Sequence, residues 1–186
     1  YPAFLSTSYT DSLLDQFGFR PTGSTTGALI AILHTVTNLL ATNPYVCIIA
    51  LDFSKAFDTV RHSTLLEKMA KLELPDNVYN WLVDFFYGHA HCTQYNGKVS
   101  ALHEITASLI QGSSLGPSSY VVNAADLKAV TNGNDMTKFA DDTYIIIPAS
   151  NIDTRDMEID NVETWARVNN LKLNRSKCCE MIITDN

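Results

Sequence analysis

The sequence predicts an α+β fold, an antiparallel sheet with helices packed on one face. Three observations lead there. Strand-like and helix-like segments intermix along the chain instead of alternating regularly. Asn96-Gly97 and Asp141-Asp142 each lie between β-prone pieces, where a two-residue connection folds one strand back on the next. Residues 45–51 form an uninterrupted apolar run, the pattern of a central strand buried on both faces.

With 186 residues, 46% of them hydrophobic, the chain has the size of one ordinary globular domain with a proper core. A mean hydropathy of −0.01 excludes a disordered or fibrous class. The longest apolar runs are strand-length, so no membrane span is expected. No signal-peptide pattern opens the chain at Tyr1, and Asn186 follows directly on an apolar strand-like run. The expectation is therefore a piece of a longer protein. Cys47, Cys92, Cys178 and Cys179 show no C-x-x-C spacing, and the neighbours Cys178 and Cys179 are poorly placed to pair, which favours a reducing, intracellular setting. The net charge of −7 and pI near 5.0 argue against a free-standing nucleic-acid binder, since phosphate contacts need clustered Lys and Arg. Basic segments outside this piece, or metal ions that cancel several of the acids, would weaken that objection.

Residues 1–15 are polar and irregular, with Leu5, Leu13 and Leu14 as scattered anchors. Gln16-Phe17-Gly18-Phe19-Arg20-Pro21 then reads as a loop leading into a helix that Ser24, Thr25 or Thr26 can cap. Leu29, Ile32, Leu33, Val36, Leu39 and Leu40 mark its buried face, and Asn43-Pro44 its end. After the strand at 45–51, Thr64 and Glu67 have the form of a capping box, with Leu65, Leu66, Met69 and Leu72 as a helix stripe. Leu74-Pro75-Asp76 breaks that helix. Val78, Trp81, Leu82, Phe85 and Phe86 form the core side of the next, which ends at Gly88, and His89 and His91 read as solvated loop residues. The Asn96-Gly97 hairpin and an extended stretch over 102–110 lead into Gln111-Gly112-Ser113-Ser114-Leu115-Gly116-Pro117, a loop where backbone can approach a ligand closely. Pro117 suits the first position of a helix over 118–129. Asn132-Gly133-Asn134 turns the chain into the Asp141-Asp142 hairpin. A helix over 153–170, with Met157, Val162, Trp165 and Val168 inward, and a last strand over 180–183 complete the pattern. No repeat, low-complexity tract or linker interrupts it.

Asp141 and Asp142 sit where the tight turn would fall. Locally this is an ordinary turn pair, because Asp tolerates unusual backbone angles and prefers solvent. Side by side, however, two carboxylates repel unless a cation lies near, and hard oxygen donors suit Mg²⁺. Asp52, at the end of the buried strand 45–51, supplies a third acid in a place where an unsolvated, unpaired charge is costly. Asp58 reads as serving the turn into the next helix. Arg20 and Lys177, taken alone, are surface cations.

Four stretches now stand together: Ala50-Leu51-Asp52-Phe53-Ser54-Lys55-Ala56-Phe57-Asp58, Gln111-Gly112-Ser113 with Leu115-Gly116-Pro117, Phe139-Ala140-Asp141-Asp142, and Trp165 with Asn170-Leu171-Lys172-Leu173-Asn174 and Lys177. In order and content they resemble the palm motifs of reverse transcriptases of the LINE-like, non-LTR retrotransposon type. The stretch from Gln16 to Pro21 with Ser24-Thr25-Thr26 is similar to that family's fingers motif. The resemblance implies a right-hand polymerase palm, an antiparallel sheet with helices on one face, plus part of the fingers. The whole chain would be one domain, with residues 1–44 from the fingers, 45–186 mainly palm, 60–110 partly a connection between the two, and the thumb absent.

The implied activity is RNA-directed DNA polymerisation by two-metal nucleotidyl transfer. Asp52 and Asp141, with Asp142 beside them, would hold two Mg²⁺ ions, or Mn²⁺, about 4 Å apart on either side of an in-line displacement. Phe57 would lie under the sugar and exclude a ribose 2′-OH. Gln111 and Gly112 would flank the incoming dNTP, while Arg20 would contact the triphosphate and Lys177 would neutralise pyrophosphate. The implied partners are an RNA template, a DNA primer, dNTP and the remainder of the polyprotein, including a thumb and an endonuclease domain where one is fused. Phe139 stands where tyrosine is commoner. Ser108-Leu109-Ile110 and Ser118-Ser119 also depart from the family pattern, at positions expected near nucleotide and template. An isolated piece of this kind is expected to be inactive. Three other readings remain open on the residues: a decayed domain that keeps the fold, an RNA-dependent RNA polymerase, in which a polar group is expected at position 57, and a group II intron maturase palm.

Overall fold

The computed structural model describes residues 13–185. Leu5 lies outside them. Helix α1 (Thr25–Leu40) is followed by strand β1 (Val46–Leu51), a single helical turn α2 (Ala56–Thr59), and helices α3 (His62–Met69) and α4 (Asp76–Phe86). Four two-residue strands come next: β2 (Ala90–His91), β3 (Gln94–Tyr95), β4 (Lys98–Val99) and β5 (His103–Glu104). Helix α5 (Leu115–Asn123), the hairpin β6 (Asp135–Phe139) and β7 (Asp142–Pro148), a 3₁₀ segment (Ala149–Thr154), helix α6 (Arg155–Val168) and strand β8 (Cys179–Ile183) complete the order. No helix among the described residues is long and apolar enough to cross a membrane.

The main sheet runs β6-β7-β1-β8, antiparallel throughout. Alternate residues of β1 point to opposite faces. Cys47, Ile49 and Leu51 meet Ile145, Ile147 and Met136 on one face, where Leu65, Met69, Leu82, Phe86, Tyr120, Val162 and Ala166 of α3 to α6 pack on them. Val46 and Ile48, with Ile146, form the other face, which Ile32 and Val36 of α1 cover. The main helical layer thus occupies one face and α1 lies across the opposite one. That double cover is why the sequence of β1 is apolar without alternation.

Ser24 caps α1 as expected, accepting a hydrogen bond from Gly27 N at 2.9 Å. The buried face is narrower than the apolar spacing predicts: Ala28, Ile32 and Val36 are buried, while Leu29 and Leu33 are about 60% exposed. Leu13 is buried against Val121 and Ala125, whereas Leu14 is exposed. Thr64 and Glu67 form no capping box, because α3 begins earlier, at His62, with Arg61 at its cap. Trp81 is 56% exposed rather than core, since α4 presents Leu82 and Phe86 to the sheet. Pro117 is the third residue of α5, where its missing N–H is still harmless, and the helix ends at Asn123. Met157 and Val168 are exposed because α6 turns Glu158, Val162 and Ala166 inward instead. The Asn96-Gly97 hairpin forms, with both residues at positive φ (47° and 74°).

Candidate active site

The main-sheet register brings the three acids to one end of two neighbouring strands. The last β1–β7 pair is Leu51↔Thr143, so Asp52 continues past β1 at the level of Asp142, the first residue of β7. The hairpin corrects one expectation: its two-residue connection is Ala140-Asp141, not Asp141-Asp142, because Phe139 pairs with Asp142. Ala140 takes the left-handed conformation at φ 57°. This shift by one residue puts Asp141 on the turn and Asp142 on the strand. The Asp142 carboxyl is held above the ordinary carboxylate range by desolvation first, then by the neighbouring charges of Asp141 and Asp52. The three acids therefore share one field.

Asp52 is steadied from the other side. Its carbonyl accepts Asn174 N at 2.8 Å, and Ser54 N donates to Lys172 O at 2.8 Å. Those bonds dock the chain that follows α6 beside the β1 end and bring Lys177 Nζ to 3.8 Å from Asp52 Oδ2. Lys177 is 68% exposed and keeps donors free for a second anion.

Phe57 is carried by α2. Its ring stacks on Tyr120, with centroids 4.8 Å apart and planes 19° from parallel, and meets Phe19 edge-on at 6.2 Å. Leu109 N donates to Phe57 O and Ser108 N to Val60 O, which draws the loop after Leu109 against α2. There Gln111 Nε2 donates to Asp58 Oδ1 at 3.0 Å. Asp58 thus holds the glutamine side chain besides serving its turn. Gly112 sits at φ 87° with open space where a side chain would be, so backbone conformation and not crowding calls for glycine.

Arg20 is placed differently. Its Nη1 donates to the carbonyls of Leu13 and Gln16, an arrangement that orders the loop before α1, and no ion pair involving it occurs among the described residues. His89 and His91 belong to no potential metal-holding group among the described residues.

Three further buried side chains are not distinguishable in the sequence. Tyr120 is buried, and its hydroxyl is pushed up by burial and then by the charges of Asp141 and Asp142. Lys138, fully buried on β6, donates to the carbonyls of Ala124 and Leu127 and pairs with Asp15 Oδ2 at 3.1 Å. Burial lowers its pKa to about 8 against the pull of Asp15. Glu158, fully buried, accepts from Val130 N, Thr131 N and Asn134 Nδ2 and so anchors the approach to β6. A lysine in a strand and a glutamate in the first turn of a helix carry no local mark of burial.

Among the described residues no group of three or more His, Cys, Asp or Glu, Asp52 with Asp141 and Asp142 included, is arranged so that it could hold a metal ion by itself. Mg²⁺ does not ask for one, since it binds through one or two carboxylates plus water and substrate phosphates. The raised Asp142 carboxyl, with Asp141 and Asp52 as two of its causes, is uncompensated negative charge of the kind a divalent cation offsets. Carboxylate oxygens are the donor type such an ion takes.

The family model described as reverse transcriptase (RNA-dependent DNA polymerase) matches residues 9–185. The chain is similar to the RNA-directed DNA polymerase from mobile element jockey of Drosophila melanogaster, at 28% identity over 177 residues, 89% of this chain and 19% of that protein. The jockey polymerase of Drosophila funebris is 29% identical over 181 residues, 91% of this chain and 20% of that protein. The chain spans about one fifth of the length of these relatives. Telomerase from Candida tropicalis, solved with a fragment of telomeric RNA, superposes with a TM-score of 0.75 at 16% identity, over 97% of this chain and 32% of that one. That is a likeness of fold.

Proposed function

Because the chain belongs to the reverse transcriptase (RNA-dependent DNA polymerase) family, we propose that it supplies the catalytic core for RNA-directed DNA synthesis in a longer protein. Its sheet and overlying helices have the palm architecture of that class, and its curated relatives are of the LINE-like, non-LTR type. One relationship supports the reading above all: Asp52 at the end of β1 lies level with Asp142, and the turn between β6 and β7 carries Asp141 beside them.

Asp52 and Asp141 would be the principal ligands of two Mg²⁺ ions, Mn²⁺ being an alternative, with Asp142 in support. When bound, the ions would stabilise the attacking primer 3′-oxygen and the departing pyrophosphate. Phe57, backed by Tyr120, would bar a ribose 2′-OH from the sugar position. Gln111, steered by Asp58, and the open backbone at Gly112 would flank the dNTP. Lys177 would balance charge on the pyrophosphate while keeping its pairing distance to Asp52. Arg20 would reach the triphosphate only by leaving the carbonyls of Leu13 and Gln16, so its first role is to order the fingers loop. RNA template and DNA primer complete the substrate set. Residues 1–44 would belong to the fingers, 45–186 mainly to the palm, and 60–110 in part to the connection between them.

Primer extension on an RNA template by the full-length protein tests this. Incorporation of dNTP is expected, with a loss of about a thousandfold or more in Asp141→Asn and in Asp52→Asn, the upper range for removing one preorganised charge-stabilising group. Wild-type incorporation no greater than that of Asp141→Asn would overturn the proposal.

A further inference from the structure

The segment before the fingers loop grips the turn that carries Asp141. Lys138 N donates to Asp15 O at 2.6 Å and Phe17 N to Lys138 O at 2.8 Å, so residues 15–17 lie along β6 as a short parallel bridge. This places the Gln16 side chain, 1% exposed, against the turn. Its Oε1 accepts hydrogen bonds from Ala140 N at 2.9 Å and from Gly18 N at 2.8 Å, and its Nε2 donates to Ala140 O at 3.3 Å. Both polar groups of one peptide residue are thus held by a single amide. The approach is close: a Cβ at Gly18 would stand 2.2 Å from Ala140 N, so nothing larger than glycine fits between the segment and the turn.

Ala140 needs such a partner for two reasons. Residues inside a two-residue hairpin connection lie outside the strand ladder, and Ala140 is buried away from water, so its N–H and C=O require bonds from elsewhere. Its φ of 57° is also a conformation that an alanine adopts only when its surroundings hold it there. The backbone angles of Ala140 set the direction in which the next residue, Asp141, leaves the turn.

We propose that Gln16 is a positioning residue for Asp141, acting through the Ala140 peptide. The proposal rests on the assignment of Asp141 to nucleotidyl transfer given above. Gln16 touches neither substrate nor metal in this role. It fixes the conformation from which the carboxylate is presented, and it ties that conformation to the loop carrying Phe19, which in turn meets Phe57.

Two substitutions in the full-length protein test it. Gln16→Met keeps the length and shape of the side chain and removes both hydrogen-bonding arms; Gln16→Glu keeps the acceptor for Ala140 N and Gly18 N and removes the donor to Ala140 O. Amide exchange is measured at Ala140 and along β1 and β7. In Gln16→Met the Ala140 amide is expected to exchange about tenfold faster, the scale of one or two lost hydrogen bonds, with β1 and β7 unchanged. Primer extension by the same variant is expected to show kcat lowered about ten- to a hundredfold and a higher half-saturating Mg²⁺ concentration, with KM for dNTP nearly unchanged. Gln16→Glu should restore Ala140 protection and part of kcat.

Unchanged Ala140 exchange in Gln16→Met would overturn the proposal, as would faster exchange spread evenly over the sheet, which marks a merely structural role. A loosened turn with unaltered kcat and Mg²⁺ dependence would remove the positioning role while leaving the polymerase reading intact. A wild-type protein that incorporates no dNTP would instead remove that reading, and the exchange measurement would still show whether Gln16 holds the turn.

Discussion

The ring of Tyr120 is stacked on Phe57, centroids 4.8 Å apart and planes 19° from parallel, so the side chain proposed for sugar selection rests on a buried aromatic floor. Phe57 is itself only partly buried, and α2, which carries it, is a single helical turn. Its position therefore depends on its neighbours. Truncation by Phe57→Ala is expected to raise incorporation of ribonucleotides relative to deoxynucleotides by about ten- to a hundredfold, the scale on which a small steric contact discriminates. Tyr120→Phe keeps the stack and should leave the ratio near wild type. Tyr120→Leu should raise it by a smaller factor than Phe57→Ala. Competition between the two nucleotide classes in primer extension gives all three ratios, and an unchanged ratio in Phe57→Ala would remove the gate.

Asp142 offers a test through stability and not rate. Desolvation, Asp141 and Asp52 raise its carboxyl above the ordinary range, so its ionised form is disfavoured in the folded state. A raised carboxyl contributes stability that is present below its unfolded pKa and lost as pH rises through the folded value. Asp142→Asn should therefore raise the thermal midpoint at pH 7 in the presence of a chelator, by the few tenths of a kcal/mol typical of exposed charges. The gain should vanish on acidification through the raised carboxyl range. Saturating Mg²⁺ should raise the wild-type midpoint and shrink or reverse the variant's advantage, because bound cation stabilises only the form that holds it. A less stable Asp142→Asn protein at pH 7 without metal would contradict this account.

Glu158 predicts the opposite pH dependence. Burial alone would raise its carboxyl, yet hydrogen bonds from Asn134, Val130 and Thr131 outweigh it and hold the group below its ordinary value. A lowered carboxyl contributes stability that is present above its unfolded pKa, about 4.5, and lost as pH falls through the folded value. Glu158→Gln is expected to cost about 1–3 kcal/mol at pH 7, because the amide brings donors toward backbone N–H groups that need an acceptor. Urea midpoints of wild type and variant should converge as the pH drops below about 4.5. Parallel curves across that range would rule out the buried carboxylate as the cause.

Much of the α+β architecture was legible locally. The unbroken apolarity of residues 46–51 has its cause in the double cover of β1, by α1 on one side and the main helical layer on the other. Ser24 is an N-cap because its hydroxyl meets the first-turn N–H groups whatever the rest of the chain does. The Asn96-Gly97 turn needs only residues that accept positive φ. The three acids and their order along the chain were likewise visible, as acids at the ends of β-type runs.

Tertiary structure decided what depends on partners far away in the chain. Leu29 and Leu33 carry the same apolar signal as Ile32 and Val36, but the sheet touches only a narrow stripe of α1 and leaves them in solvent. The one-residue shift that makes Ala140-Asp141 the turn follows from the Phe139↔Asp142 pairing and is stabilised by Gln16, 124 positions earlier. Burial of Lys138 and Glu158 is likewise set by packing of the hairpin and α6 against loops that supply carbonyl and N–H partners. Local periodicity reports what a residue would prefer on its own segment. The sequence by itself therefore determined the fold class, the central strand and the identity of the acids. Only the tertiary structure decided how the turn presents Asp141, because that geometry is held by hydrogen bonds between segments whose separation leaves no periodic trace.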